Sequence, residues 1–144
     1  MTSGSYHTGG GLLLICDGFE EAATIDCLHT LRDAGMAMTL VGLAAGLVTG
    51  SRGITVQPDL SLDQLERDSA PWLVVIGGGR RCLKMVLADP RVHRLVQATA
   101  ESGGTVAVMG TPSEDAETLL RVPLLSQGRL SVQEFTGRLL KLGG

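Results

Sequence analysis

Gly11-Leu-Leu-Leu-Ile-Cys16 is an unbroken apolar run, and Asp17-Gly18-Phe19-Glu20-Glu21 follows it directly. A strand buried on both faces of a sheet reads as such a run rather than as an alternation. Beyond the acids, Ile25, Leu28 and Leu31 recur at helical spacing with Cys27 and Ala34 beside them. Gly35 stands where a helix C-terminal glycine belongs. Two acids in the first turn suit the positive end of the helix dipole. Met38 to Val41 then reads as a second strand. Strand, acidic turn, helix, glycine and strand in that order make a βαβ unit, and such units build a mainly parallel sheet.

The same alternation continues outward. Ile54-Thr55-Val56-Gln57 reads as a strand after the turn Thr49 to Gly53, and Ser61 to Gln64 has capping-box spacing for a short helix. Leu73-Val-Val-Ile76 is the clearest strand and runs into Gly77-Gly78-Gly79. Asp89-Pro90 is an N-cap with proline at the first helical position, and Val92, Leu95, Val96 and Thr99 mark the helix's inner face. Gly103-Gly104 stops it, and Thr105 to Met109 is another buried strand. Thr111-Pro-Ser-Glu114 repeats the capping-box pattern. A last helix begins near Ser131, with Glu134 three residues on and Val132, Phe135, Leu139 and Leu142 as its apolar stripe. The expected architecture is a three-layer α/β sandwich with helices on both faces of the sheet.

The chain has 144 residues, enough for one domain. Residues 11–144 are read as that domain, and the polar, glycine-rich residues 1–10 as a flexible arm. A net charge of −3 gives no electrostatic reason for a nucleic acid or an anionic membrane as partner. No apolar run approaches a membrane span, and the start lacks the regions of a secretory signal, so the expected location is the cytoplasm. Cys16, Cys27 and Cys82 are an odd set without CxxC or Cys/His spacing. They read as buried free thiols, with no metal site and no cofactor implied. His7, His29 and His93 read as surface residues.

Ligands of such sheets gather at the carboxyl ends of the strands. That selects Asp17 to Glu21, Gly77 to Lys84 and Met109 to Glu114. The same segments carry a resemblance. Leu14-Ile-Cys-Asp-Gly-Phe-Glu-Glu-Ala-Ala-Thr24, Val74-Val-Ile-Gly-Gly-Gly79 and Gly103-Gly-Thr-Val-Ala-Val-Met-Gly-Thr-Pro112 occur in that order. Ser51-Arg52-Gly53-Ile54 and Pro58-Asp59 lie between the first two. Over residues 12 to 115 the chain resembles the ThiJ/PfpI superfamily. The resemblance implies a flavodoxin-like, class I glutamine-amidotransferase-like fold and a homodimer. It also implies a pocket formed by Asp17, Glu20, Glu21, Ala23, Gly78, Gly79, Arg80, Met109 and Gly110.

Three departures bear on chemistry. The family places a cysteine at a sharp strand-to-helix turn, in the pattern Ala-Ile-Cys-x-Gly-Pro. Here Ala107-Val-Met-Gly-Thr-Pro112 puts Met109 there, and a thioether forms no thiolate. A glutamate two residues beyond the Glu-Glu pair partners that cysteine in related enzymes, and here the position is Ala23. No histidine lies beyond His93, where the family usually inserts a strand bearing one. The implied function is therefore non-catalytic, in small-ligand binding or as a dimeric interaction module.

Several alternatives stay open at this stage. Gly78 and Gly79 serve either a tight turn or an oxyanion-binding N–H. Arg80, Arg81 and Lys84 form either a solvated face or a site for a small anion or metabolite at a helix N-terminus. The same cations could activate Cys82 as a relocated nucleophile for a hydrolase, glyoxalase or redox enzyme. Asp17, Glu20 and Glu21 either compensate the helix dipole or form a metal or acid–base cluster; a receiver-like site ranks below the family resemblance. A dinucleotide loop is disfavoured, because Cys82 occupies the third glycine position of the fingerprint.

Overall fold

The computed structural model describes residues 10–65, 70–110 and 116–143. Among the described residues, eight strands and five α-helices follow in the order β1 (Gly10–Ile15), α1 (Glu21–Asp33), β2 (Ala37–Gly42), β3 (Val48–Thr49), β4 (Thr55–Val56), β5 (Leu60–Ser61), β6 (Leu73–Ile76), α2 (Arg80–Leu87), α3 (Pro90–Glu101), β7 (Thr105–Val108), α4 (Ala116–Leu120), β8 (Leu125–Ser126) and α5 (Val132–Gly143). Six strands form the main sheet in the order β5-β2-β1-β6-β7-β8, all parallel. The fold is the mainly parallel α/β sandwich expected from the sequence.

Chain direction across this sheet decides where a ligand can sit. From β1 the chain crosses through α1 to β2 on one side, and from β6 it crosses through α3 to β7 on the other. Right-handed crossovers running in opposite directions place their helices on opposite faces. Accordingly α1 packs with α5, while α2, α3 and α4 pack together. The reversal falls between β1 and β6, so a crevice opens at the carboxyl ends of those two strands.

The core explains the apolar runs. Residues 11–16 and 73–76 are all buried, because these strands have a helix layer on each face. Phe19, just before α1, and Phe135, in α5, are fully buried, and the rest of the interior is largely aliphatic. The α3 face of Val92, Leu95, Val96 and Thr99 is buried as its spacing predicted. Asp89 caps that helix by accepting from Arg91 N–H at 2.9 Å. Ser131 and Glu134 form the expected reciprocal box at the start of α5, each side chain accepting from the other residue's N–H at 3.1 Å.

Several expectations shift. Gly10 already pairs with Ala37, so the sheet starts inside the stretch read as an arm; residues 1–9 lie outside the described residues. The Ile54–Gln57 strand is only Thr55–Val56, and it pairs antiparallel with β3 in a separate hairpin. The turn through Gly53, at φ +85°, folds it back before it can reach the main sheet. The capping box at Ser61 leads into one 3₁₀ turn, Leu62–Gln64, rather than an α-helix. Leu142 is exposed, outside the buried stripe of α5. The box at Thr111 to Glu114 lies outside the described residues.

Candidate functional site

The crevice at the sheet reversal is a cleft of about 600 Å³. Its walls come from three segments: Asp17, Gly18 and Glu20 after β1, Thr49 to Ser51 at the end of β3, and Gly79 to Arg81 entering α2. Asp17, Glu20, Gly79 and Arg80 of the sequence-derived set line it. Glu21, Ala23, Gly78, Met109 and Gly110 do not line it. Arg81 and the Thr49–Ser51 wall were not in that set. The wall belongs to a hairpin whose position no local pattern announces.

Each acid serves a different backbone segment. Glu20 is the N-cap of α1, and its two carboxylate oxygens accept from Ala22 and Ala23 N–H at 3.2 and 2.9 Å. Asp17 accepts from Thr49 N–H at 3.0 Å and ties the β1 turn to the hairpin. Glu21 points the other way and is only 3% exposed. It accepts from Arg52 N–H at 2.8 Å, Ile54 N–H at 3.1 Å and the Ser51 hydroxyl at 3.2 Å. Burial pushes its carboxyl up, but these donors outweigh that and hold it below the usual carboxylate range. The turn at Gly50 is built around this carboxylate, because a Cβ on Gly50 would overlap Glu21. Dipole compensation therefore accounts for Glu20, while Glu21 organises the hairpin loop. Among the described residues no group of three metal-ligating side chains converges.

The glycines after β6 are shaped by close approach. Gly77 N–H donates to the Leu14 carbonyl at 2.9 Å. Gly79 has φ +113°, and a Cβ there would lie 2.6 Å from the Gly18 carbonyl oxygen. Gly78 N–H, a candidate oxyanion donor, instead donates to Thr24 Oγ1 at 3.1 Å inside the protein. Thr24 is fully buried, four residues along α1 from the N-cap.

The elbow region shows the same occupancy. Met109 is 3% exposed and its N–H continues the sheet to the Ile76 carbonyl. Its Cβ would lie 3.7 Å from a Cβ placed on Gly78, so the side chain fills the space behind the glycines. Gly110 N–H donates to Gln127 Oε1 at 2.8 Å, and Gln127 Nε2 donates onward to the Leu130 carbonyl at 3.1 Å. Arg121 is the only non-glycine at positive φ among the described residues. Met109 thus carries none of the backbone strain that a nucleophile elbow stores. Thr24 and Gln127 were not identified from sequence, since each acts on a segment far from its own.

All three cysteines are buried free thiols, as their number and spacing suggested. Cys82 is fully buried, so the reading of it as a relocated nucleophile facing a substrate does not fit its position. It lies on the inner side of α2, whereas Arg80 and Arg81 are exposed on the cleft side. Neither arginine forms a salt bridge among the described residues; the ion pairs there are Arg32–Asp59 and Arg91–Asp89. His93, read as a surface residue, is half-buried and donates from Nε2 to the Leu87 carbonyl at 2.7 Å. No helix among the described residues is long and apolar enough to cross a membrane.

Comparison with known proteins bears on the family and the fold. A deglycase of Thermococcus kodakarensis is 31% identical over 96 residues, covering 67% of this chain and 57% of that one. The deglycase PfpI of Pyrococcus furiosus is 31% identical over 98 residues, covering 68% and 58%. The chain thus spans a little over half the length of these curated relatives. Among solved structures, Drosophila melanogaster DJ-1beta superposes with a TM-score of 0.79 at 20% identity, covering 93% of this chain and 88% of that one. A DJ-1 superfamily protein of Salmonella typhimurium gives 0.74 at 19% identity, covering 93% and 91%. The model of the DJ-1/PfpI family matches residues 12–129, from the first strand to just beyond the last, and the chain belongs to that family.

Proposed function

We propose that this chain is a non-catalytic member of its family that binds a small anionic metabolite in the cleft between β1 and β6. The observation that carries the reading is Met109, buried at the elbow position where the family resemblance implies a cysteine. The surrounding hydrogen bonds support it. The N–H groups of Gly78 and Gly110 are already taken by Thr24 and Gln127. An oxyanion would have to displace both side chains to use them. Ligand binding is supported by Arg80 and Arg81, exposed cations at the start of α2 without an ion-pair partner among the described residues. The neighbouring acids Asp17 and Glu20 are occupied by backbone N–H groups, which reduces their opposition to an anion.

The relatives are named deglycases, so the decisive assay is release of free amine from a glycated amino acid. The expected rate equals that of buffer, and it stays there in the Cys82→Ser variant. Turnover by the wild-type chain that Cys82→Ser abolishes would overturn the non-catalytic reading. Binding is tested separately by thermal shift with phosphate, citrate and short carboxylates. A ligand held only by the folded state raises Tm with concentration. The rise should vanish in Arg80→Ala/Arg81→Ala, and no rise with any of these anions would sink the binding reading.

A homodimer is the second part of the proposal. Leu47 precedes β3 and Ile54 ends the turn into β4, and they are 64% and 55% exposed. Exposed apolar side chains at both ends of one hairpin suit a self-association surface. Sedimentation should show a dimer that Ile54→Asp converts to monomer; a wild-type monomer at micromolar concentration would refute it. Three free thiols also fit a reducing compartment such as the cytoplasm.

A further inference from the structure

Cys16 and Cys82 are 66 residues apart in sequence, and their sulfur atoms are 3.0 Å apart. Cys16 follows the last residue of β1, and Cys82 is the third residue of α2. Both are buried, at 3% and 0% exposure. The Cys16 thiol donates to Cys82 Sγ and also approaches the Cys82 carbonyl at 3.3 Å. Two thiols this close are in place for a bond that neither the sequence spacing nor the cysteine count suggested.

The pair is chemically asymmetric. Cys82 receives the hydrogen bond, which pulls its thiol down against the opposing effect of burial. Cys16 is pushed up by the same hydrogen bond and by burial. Cys82 also sits in the first turn of a helix, where the dipole favours a thiolate. The expected reactive sulfur is therefore Cys82, with Cys16 holding the proton.

The pair also lies next to the cleft. Gly18 and Arg81, close neighbours of the two cysteines in sequence, both line it. They meet there, since a Cβ on Gly18 would lie 2.9 Å from Arg81 Cβ. An oxidant of about the size of water needs only a small opening between these two segments.

We propose that Cys16 and Cys82 are a peroxide-responsive pair that closes into an intramolecular disulfide behind the cleft. The Cys82 thiolate attacks one oxygen of hydrogen peroxide and the O–O bond breaks. Hydroxide leaves and takes a proton to become water, and Cys82 becomes a sulfenic acid. Cys16 then loses its proton as its sulfur attacks the Cys82 sulfur. The S–O bond breaks, the S–S bond forms, and a second water leaves. Two thiols and one peroxide give one disulfide and two waters. A dithiol reductant reverses the change by exchange. Cys27, on α1 and beside Thr136 of α5, takes no part. This pairing is independent of the anion-binding reading, because it concerns sulfur atoms that do not line the cleft.

The test treats the native full chain with hydrogen peroxide, then denatures it and labels free thiols with N-ethylmaleimide. Intact mass should fall by about 2 Da before labelling, for the two hydrogens lost. Labelled thiols should fall from three to one, and a tryptic map should contain residues 1–32 joined to the Cys82 peptide, with fragment ions placing the bridge on Cys16 rather than Cys27. Dithiothreitol should restore three labels. Cys16→Ser and Cys82→Ser should lose the mass change, and Cys27→Ser should keep it. Three labelled thiols after a dose that fully oxidises free cysteine would overturn the proposal. So would oxygen addition without the joined peptide, or a joined peptide formed only in urea. If either serine variant fails to fold, the wild-type peptide map decides alone.

Discussion

Replacing Thr24 with valine removes one hydroxyl and almost nothing else. The side chain keeps its shape, but Gly78 N–H loses the oxygen 3.1 Å away that accepts its hydrogen. Thr24 is fully buried and Gly78 is buried, so water has no direct route to replace that acceptor. A buried donor left unpaired costs about 1–3 kcal/mol. With 144 residues at about 2.1 cal/mol/K each, the unfolding entropy is about 0.3 kcal/mol per degree, so Tm should fall by roughly 3–10 °C. Urea unfolding should show a lower midpoint at unchanged slope, the sign of a stability change without a change in exposed surface. Thr24→Ser keeps the hydroxyl and should lose less. If Thr24→Val melts within a degree of wild type, Gly78 N–H has found another partner. The donor would then be reachable from the cleft, and the argument that the oxyanion position is occupied would fail.

Other perturbations reach the same region from different sides. Gly79→Ala puts a Cβ at a backbone φ of +113° and against the Gly18 carbonyl; a loss of at least about 3 kcal/mol is expected in denaturant titration. Gln127→Ala leaves Gly110 N–H without its 2.8 Å acceptor. Hydrogen exchange at Gly110 should speed up by about tenfold or more, for a loss of about 1.4 kcal/mol in local protection. Glu21 sets an acid limit: its folded pKa lies below the unfolded one, so its contribution is complete above the unfolded value and fades as pH falls through the folded one. Melting curves from pH 6 to pH 3 should show a drop that Glu21→Gln flattens, and equal slopes for the two proteins would contradict that role.

What the sequence disclosed followed physical range. Residues 11–16, 73–76 and 106–108 declared themselves because burial on both faces leaves no polar position in a strand. Asp89-Pro90 and Ser131/Glu134 were legible because a cap acts on its own helix within three residues. Gly79 announced a constrained turn, though not that the constraint is the Gly18 carbonyl. Thr24, Gln127 and the Cys16–Cys82 approach were not legible. Each joins segments 17 to 66 residues apart, and no local pattern encodes which loop a side chain will meet. The acids show the middle case. Their position at a helix start was readable, but their separation into three tasks depends on the hairpin that folds over them.

The Glu21 carboxylate and the bare backbone at Gly50 occupy one volume between them. Neither position can change alone. A methyl group at 50 displaces the carboxylate, and a shorter residue at 21 leaves the Arg52 and Ile54 N–H groups without their acceptor. In descendants of this sequence the two sites should therefore drift as a linked pair, with glycine at 50 retained for as long as glutamate stays at 21. A lineage that loses one should soon lose the other, and the cleft wall formed by Thr49 to Ser51 should be remodelled in the same step.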